Sequence, residues 1–459
     1  MYLTDAYAIP TSAGSGSDPG QQAGTPTAHA VPRSIARALP RTVLVLGTVS
    51  LITDVSSEMV TAVLPLYLVA QLGLSPLGFG LLDGIYNGFS SLVRLVGGHL
   101  ADRGGRHKAV AALGYGLSAL CKPALLLAHG VASIGVVLAT DRTGKGLRTA
   151  PRDAMISLAS PADAQGRSFG IHRAMDTAGA LLGPIIAFFL MQAAVDGFDA
   201  IFMVSFCIAL TGVVVLLLFA PGRGSTATQR GGAAGGTEAT PAGNDAAARE
   251  QEPGTVSARV ALGLLRRPEL RSLTLCALLL GLATVSDSFL YLMLRRDLNI
   301  SEEWFPLLPV GTSTAFLLLA VPLGQAADRF GRWRVFLAGH GSLLVAYGLL
   351  LTGVQGAAVL IVVLVLHGLF YAATDGVLMA AAVGSVPAAL RSSGLALVQT
   401  GQASARFVCS LLFGAAWSSW GDRTALAAAT VALAACVALS ALVRPLRASG
   451  TARSTEAAT

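Results

Sequence analysis

Long apolar runs separated by short polar stretches dominate this chain. Twelve windows reach the roughly 20 residues that cross a bilayer as an α-helix. The windows cover residues 43–70, 77–100, 108–128, 131–157, 168–193, 200–220, 272–294, 304–327, 333–354, 356–384, 394–416 and 424–443. The pattern therefore predicts an all-α membrane protein with twelve transmembrane helices.

Three stretches without apolar runs divide the chain. Residues 1–42 and 447–459 are small and polar, which predicts disordered tails, and the first has no apolar core of a secretory signal. Residues 221–256 are rich in Gly, Ala, Thr and Pro, which is typical of a flexible linker. Two six-helix halves remain, residues 43–220 and 257–446.

The composition indicates that lipid, rather than water, surrounds most of the predicted helices. The chain is 53% hydrophobic and only 12% charged, whereas soluble domains carry about 25% charged residues. Its five cysteines lie inside apolar runs without ligand spacing, so we expect no metal and no cofactor. The net charge of +7 comes with no nucleic-acid-binding motif, and we expect no nucleic-acid partner.

Basic residues cluster on one side of the predicted helices. Arg103 and Arg106 follow the second window, Arg329 and Arg332 follow the eighth, and further arginines lie in the linker. Short loops rich in Lys and Arg remain in the cytoplasm. The pattern therefore predicts a multi-pass protein of the cell membrane with both termini and the linker in the cytoplasm.

The chain also repeats itself. The stretch from Gly98 to Arg106, with Asp102, resembles the stretch from Gly324 to Arg332, with Asp328, and the two aspartates are 226 positions apart. Pro161 and Pro387 share that offset, and an Arg-Ser-x-Gly sequence follows each of them. Two pairs at one offset indicate duplicated six-helix halves.

The Gly-x-Leu-Ala-Asp-Arg-x-Gly-Arg loop at 98–106 resembles the major facilitator superfamily of transporters, and the resemblance extends from about Val43 to Val443. It implies the major facilitator fold and a gate between the halves held by Asp102 and Asp328. An alternative is that these loops only set topology and tight turns. The gating residues implied are Gly98, Asp102, Arg103, Gly105, Arg106, Asp328, Arg329 and Arg332.

Two further motifs resemble this family. Gly170, Gly179, Gly183 and Pro184 follow its fifth-helix pattern, which is associated with export, although the Gly pair that continues that pattern is missing here. An ordinary close-packed helix face is the alternative. The sequence from Arg142 to Gly146 resembles the fourth-helix motif, whose arginine assists proton movement in proton-coupled relatives. The longer string 141–153 is similar to a bacterial subgroup of undefined substrate.

Ionisable residues inside apolar windows cost several kcal/mol unless they are paired or hydrated, so they are candidates for function. Asp54 and Glu58 are four positions apart and share a helical face. Two carboxylates this close do not both ionise cheaply, so one is expected to hold a proton. With Asp83 and Arg142 they form the predicted proton-coupling set. A purely structural role for Asp54 and Glu58 is the alternative.

Other polar residues are expected to line a substrate cavity. These are Arg94, Lys122, Lys145, Arg148, Asp287, Asp375 and Gln399. A static buried pair between Lys122 and Asp54, Glu58 or Asp83 is an alternative, and His367 is expected to be a hydrogen-bonded packing group. Because charges are sparser in the second half, we expect coupling in the first half and substrate selection in the second.

These features predict a secondary active transporter, in which protons drive efflux of a small organic molecule by alternating access. Import or exchange of an organic anion, or a non-transporting receptor on the same fold, are the alternatives. An enzyme is not indicated, since nucleophile-elbow, zinc-protease and Walker motifs are missing from the sequence. The predicted partners are the substrate, protons and the bilayer, and the resemblance implies that a monomer suffices.

Overall fold

The computed structural model describes residues 40–102, 106–161, 164–221, 266, 268–384 and 391–443. These ranges hold thirteen α-helices and no strand. The helices are α1 (Arg41–Leu66), α2 (Pro76–Asp102), α3 (His107–Leu127), α4 (Val131–Ala159), α5 (Gln165–Ala193), α6 (Gly197–Phe219), α7 (Pro268–Ala283), α8 (Asp287–Asp297), α9 (Leu307–Phe330), α10 (Arg332–Thr352), α11 (Ala357–Gly384), α12 (Arg391–Trp420) and α13 (Asp422–Val443). Nearly all of the predicted tails and linker lies outside the described residues.

The predicted spans are present. Within the described ranges, nine segments are long and apolar enough to cross a membrane, with α7 and α8 counted together. Helices α2, α4 and α12 complete the set with 27, 29 and 30 residues. At 1.5 Å per residue, each is about 40 Å or longer and exceeds the hydrocarbon core. The all-α, twelve-span prediction is confirmed.

The seventh span differs from the single helix that the sequence predicts, because it is interrupted between α7 and α8. The backbone groups freed there have partners. The Tyr347 hydroxyl accepts a hydrogen bond from the Val285 amide at 2.9 Å, and the Cys409 thiol donates to the Thr284 carbonyl at 3.1 Å. Non-helical backbone at membrane depth persists where the protein satisfies it in this way.

The two halves use the same helix pairings. In the first half α5 packs on α1, α4 packs on α2 and α3, and α6 packs on α1 and α3. In the second half α12 packs on α7, α11 packs on α9 and α10, and α13 packs on α7 and α10. Each pair in one half thus corresponds to a pair six spans later. The predicted duplication is confirmed at the level of packing.

The halves meet along three helix pairs, α2 with α12, α5 with α9 and α1 with α8. We call the side where α6 ends and α7 begins the linker side, and the opposite side the far side. Close contacts along α2 and α12 lie toward the far side. A methyl group on Gly414 would lie 2.5 Å from the Pro76 carbonyl oxygen, and the Leu77 amide donates to the Ser418 hydroxyl at 3.0 Å.

Aromatic rings reinforce the same contact. Phe289 of α8 packs edge-on against Phe79 of α2 and Phe413 of α12, with ring centroids 4.8 and 4.9 Å apart. Phe188 of α5 lies 5.2 Å from Trp304, which precedes α9. The described contacts therefore close the far side of the molecule with a layer of packed apolar side chains.

Helix α5 lies against α1 through two of the four residues of the fifth-helix motif. A methyl group on Gly179 would lie 2.5 Å from the Leu51 carbonyl oxygen, and one on Gly183 would lie 2.7 Å from that of Val55. Gly170, in contrast, has open space where its methyl group would be. The close approach of the two backbones fixes the spacing between polar residues on α1 and α5.

These glycines yield a stability prediction. Gly183→Ala inserts a methyl group against the α1 backbone, and we expect it to lower the free energy of unfolding by about 1–3 kcal/mol. Gly170→Ala shares the same gain in helix propensity, up to about 1 kcal/mol, without the clash. Thermal unfolding of the purified variants in detergent measures the difference. Equal melting temperatures for the two variants would refute the packing role.

Candidate functional site

A buried ionic cluster lies between α1, α4 and α5. Asp54 of α1 is 3.6 Å from the guanidinium of Arg148 on α4, and only 13% of the Asp54 side chain is exposed. The Arg148 guanidinium also lies 4.6 Å above the centre of the Tyr115 ring. Asp54, which the sequence predicts for proton coupling, is therefore in contact with Arg148, which the sequence predicts for the cavity.

Asp176 of α5 is the second carboxylate of this cluster. It lies one helical turn beyond His172 on α5, as Asp54 lies one turn beyond Ser50 on α1, and the two carboxyls are close enough to interact electrostatically. Arg173 donates to Asp176 at 3.3 Å, and Arg152 lies 3.6 Å away. The sequence pairs Asp54 with Glu58 by spacing along α1, whereas the structure places a carboxyl from another helix against Asp54. Spacing within one helix gives no signal for this contact.

A polar chain continues from this cluster into the core. The Arg152 guanidinium donates to the Ser50 hydroxyl at 2.9 Å, and Ser50 lies 3.1 Å from Nε2 of His172. Arg152 also pairs with Asp153 at 3.1 Å. Helix α4 thus connects to both α1 and α5 through arginine side chains that lie inside the membrane-spanning bundle.

A second buried cluster lies between α3 and α4. Asp141 pairs with Lys122 at 3.1 Å and with Arg142 at 2.5 Å. The Arg142 guanidinium lies 3.8 Å above the centre of the Tyr86 ring, which connects the cluster to α2. Lys122, predicted to line the cavity, thus has a buried ion pair as in the alternative prediction, but its partner is Asp141 rather than Asp54, Glu58 or Asp83. A pairing across helices is invisible in the spacing of residues along one helix.

The second half holds a carboxylate and an imidazole in contact. Asp287, in the first turn of α8, accepts a hydrogen bond from the Tyr371 hydroxyl at 2.6 Å and lies 3.2 Å from Nε2 of His367. His367 is fully buried at 1% exposure. The sequence predicts a hydrogen-bonded packing group at His367 but not its carboxylate partner, which is 80 positions away in the chain.

Two of the remaining cavity candidates, Asp375 and Gln399, contact residues of their own half. Asp375 lies 4.0 Å from the Arg406 guanidinium, and the Gln399 amide lies 3.8 Å from the Met379 sulfur. Lys145 is close enough to Asp54 to interact electrostatically with it. The side chain of Arg94 lies outside the described residues.

A cavity of about 70 Å³ lies between the two halves. Glu58 and Thr61 of α1 and Pro184 of α5 line it from the first half, and Asp287 and Tyr291 of α8 line it from the second. This volume holds more than one water molecule. Glu58, one helical turn from Asp54, therefore faces the interface between the halves, whereas Asp54 faces the interior of its own half.

Asp83 of α2 links the halves beside this cavity. It accepts a hydrogen bond from the Ser410 hydroxyl of α12 at 2.7 Å. Ser286 and Ser288, at the start of α8, also lie close to its carboxyl group. Asp83 is thus a buried polar contact between one helix of the first half and two of the second.

The gating loops are described only in part. Arg103 and Gly105 lie outside the described residues, as do the side-chain surroundings of Gly98 and Asp102 in α2, whereas Arg106 is described and exposed. In the second loop Asp328 lies 3.7 Å from Arg332. The Arg332 guanidinium donates to the Ala380 carbonyl at 2.8 Å, and Arg329 lies over the ring of Phe330.

The Asp141 cluster generates a stability prediction. Asp141→Asn leaves Lys122 and Arg142 buried beside each other without their carboxylate, and we expect it to destabilise the fold by about 3–5 kcal/mol. Asp328→Asn is the control, because the side chains of Asp328 and its partner Arg332 are 75% and 43% exposed and such pairs contribute at most about 1 kcal/mol. Unfolding of both variants in detergent measures the difference. Similar stabilities would refute the role of Asp141.

Comparison with known proteins identifies the family. The sequence matches the Major Facilitator Superfamily over residues 46–308 and 273–459. An uncharacterised MFS-type transporter of Methanocaldococcus jannaschii is similar at 26% identity over 410 residues, which cover 86% of this chain and 94% of that protein.

Solved structures show the same fold. The nucleoside transporter NupG superposes with a TM-score of 0.72 at 13% identity, over 88% of this chain and 98% of that one. A bacterial homologue of the human lysosomal transporter Spinster, solved in an inward-facing and unoccupied conformation, gives a TM-score of 0.66 at 15% identity, over 88% and 97% of the two chains.

The family match covers most of the chain, and the twelve spans in two corresponding halves agree with it. This protein is therefore a multi-pass membrane transporter rather than an enzyme, and it belongs to the Major Facilitator Superfamily.

Proposed function

We propose that this transporter exports a small organic molecule from the cell in exchange for protons. The observation that supports this most directly is the buried carboxylate cluster around Asp54, one helical turn from a cavity between the halves. Carboxylates inside a membrane-spanning bundle are costly to maintain, and they commonly mark proton or substrate sites.

The direction of transport depends on how the protein lies in the membrane. Basic loops follow α2 and α9 on the linker side, and the positive-inside rule assigns that side to the cytoplasm. The far side then faces outward, and the packed layer of α2, α8 and α12 closes the outer entrance. This arrangement corresponds to the state in which an exporter loads its substrate from the cytoplasm.

Protons and substrate drive such a cycle only if each favours one state over the other. Asp54 and Arg148 supply a buried acid and its counter-ion in the first half. Glu58 and Asp287 approach the inter-half cavity from opposite halves. When the halves rock, the surroundings of these two cavity carboxyls change, and their affinity for a proton or for substrate changes with them.

Import or exchange of an organic anion is the alternative within transport. It requires that basic residues offer their charge to a substrate carboxylate or phosphate. Arg148 already contacts Asp54, and Lys122 and Arg142 both contact Asp141. These pairings favour the acidic residues as the coupling groups and leave the alternative as an outcome of the experiment.

The experiment has two stages. A susceptibility and accumulation screen of cells that lack or overexpress the protein identifies a transported compound. Purified protein is then reconstituted into proteoliposomes, and uptake of that compound is measured under pH gradients of either sign. Exchange with protons predicts accumulation on the acidic side. Accumulation on the alkaline side indicates symport, and no gradient-dependent flux in either direction contradicts proton coupling.

Asp54 is the first residue to test. Asp54→Asn is expected to reduce gradient-driven flux at least tenfold while leaving gradient-independent exchange of the compound measurable, because the proton site is lost and the cavity remains. Asp196→Asn, at an exposed aspartate that precedes α6, is the control and is expected to retain flux. Full gradient-driven flux in Asp54→Asn would remove this carboxyl from the mechanism.

Asp287→Asn tests how the work is divided between the halves. If coupling belongs to the first half, the variant alters the apparent affinity for the compound more than its response to the pH gradient. The measurement is flux against compound concentration at two gradients. Loss of gradient response equal to that of Asp54→Asn would contradict the assignment of coupling to the first half.

Ser410→Ala tests the polar contact that holds the halves together on the far side. The change removes a buried hydrogen bond to Asp83, and such a loss costs about 1–3 kcal/mol. Each 1.4 kcal/mol shifts a two-state equilibrium about tenfold, so we expect the far side to open.

Spin labels at Ser75 and Thr424 report that opening in a background without native cysteines, because both positions are exposed on the far side. A longer distance is expected in Ser410→Ala than in the parent. Ser404→Ala, an exposed serine of α12 that donates to the Thr400 carbonyl, is the control. An unchanged distance distribution in Ser410→Ala would rule out this contact as a determinant of closure.

A further inference from the structure

We propose that Asp54 and Asp176 hold one proton between them, so that the two carboxyls of α1 and α5 form a single proton-binding site. Ser50 of α1 contacts His172 of α5 at 3.1 Å, and the two carboxyls lie one helical turn beyond these residues on the same two packed helices, close enough to interact electrostatically. A carboxyl donates a hydrogen bond only when it is protonated, so a hydrogen bond between these two carboxyls would require one proton. The proposal rests on the proposed function only in identifying this proton with the transported one.

The packing of α5 on α1 keeps the two carboxyls together. Gly179 and Gly183 lie against the α1 backbone at Leu51 and Val55, directly on either side of the level of Asp54. The Asp54 and Asp176 side chains are only 13% and 15% exposed. Neither helix can move away without breaking that glycine contact, so repulsion between two ionised carboxyls is not relieved by separation.

Basic side chains surround the pair from two helices. Arg148 and Lys145 of α4 interact with Asp54. Arg152 of α4, and Arg173 with His172 of α5, are grouped around Asp176. Each carboxyl therefore has a guanidinium of its own.

This arrangement supports two protonation states. With one proton, the carboxyls bond to each other. When that proton leaves, each carboxylate retains a cation within 4 Å, so release does not create a bare buried charge. A proton site that is loaded and unloaded in each cycle needs both states to be accessible, and the pair provides them without any movement of α1 against α5.

Glu58 lies on the route between this pair and the inter-half cavity. It is one helical turn beyond Asp54 on α1, and residues four apart on a helix are about 6 Å apart. Glu58 also lines the cavity that Asp287 faces. A proton released by the pair therefore reaches the interface of the halves through one acidic neighbour.

Infrared spectroscopy of the full chain in lipid nanodiscs tests the shared proton. A protonated carboxyl has a C=O stretching band that carboxylates lack. We expect one such band to be lost in Asp54→Asn and the same band to be lost in Asp176→Asn. Asp196→Asn, at an exposed aspartate that precedes α6, is the control and should retain it. Loss of the band in only one of the two variants, or in neither, would overturn the proposal.

A second pair of variants covers the case in which an asparagine variant fails to fold. Asp54→Glu and Asp176→Glu keep the acid but alter its geometry, so each should shift the same band. A shift in only one of them would show that a single carboxyl holds the proton. This measurement needs neither substrate nor gradient. A shared band without gradient-driven flux therefore contradicts the proposed function alone, and flux without the band contradicts only the shared proton.

Discussion

The first half of the protein depends on the rule that charge inside a bilayer must have a partner. Helix α4 carries six charged residues in 29 positions, yet it lies inside the bundle. It is tolerated there because Asp141 pairs with both Lys122 and Arg142, and because Arg148 reaches Asp54. The charges of α4 thus have partners on α1, α3 and α5.

The interrupted seventh span obeys the equivalent rule for backbone groups. Because the helix breaks before Asp287, a new helix N-terminus and its serines are placed at the interface of the halves. Ser286 and Ser288 face Asp83 of the other half, and Asp287 occupies the first turn of α8, where a carboxylate is favoured. A continuous helix would have used these backbone groups in its own hydrogen bonds and placed the two serines about 200° apart around its axis.

Periodicity and repetition in the sequence predict the spans and the duplication, and they show which charged residues lie inside the spans. They do not predict which of these charged residues contact each other. Lys122 faces Asp141 because α3 packs beside α4, and Asp54 faces Asp176 because α1 packs beside α5. The spacing of residues within one helix does not encode these contacts. The sequence also does not predict the break in the seventh span. Residues 284–286 include neither Gly nor Pro, and their backbone groups bond to Tyr347 and Cys409 from other spans.

The two carboxylates of α1 differ in what they contact, and the difference bears on coupling. Asp54 contacts α4 and α5 of its own half, and these helices move with it when the halves rock. A group with constant surroundings has the same proton affinity in both states, and it therefore cannot couple protons to the cycle by itself. Glu58 faces the other half across the cavity, so its surroundings change. Under the proposed exchange with protons, Glu58 would transmit the state of the interface to the buried pair one turn away.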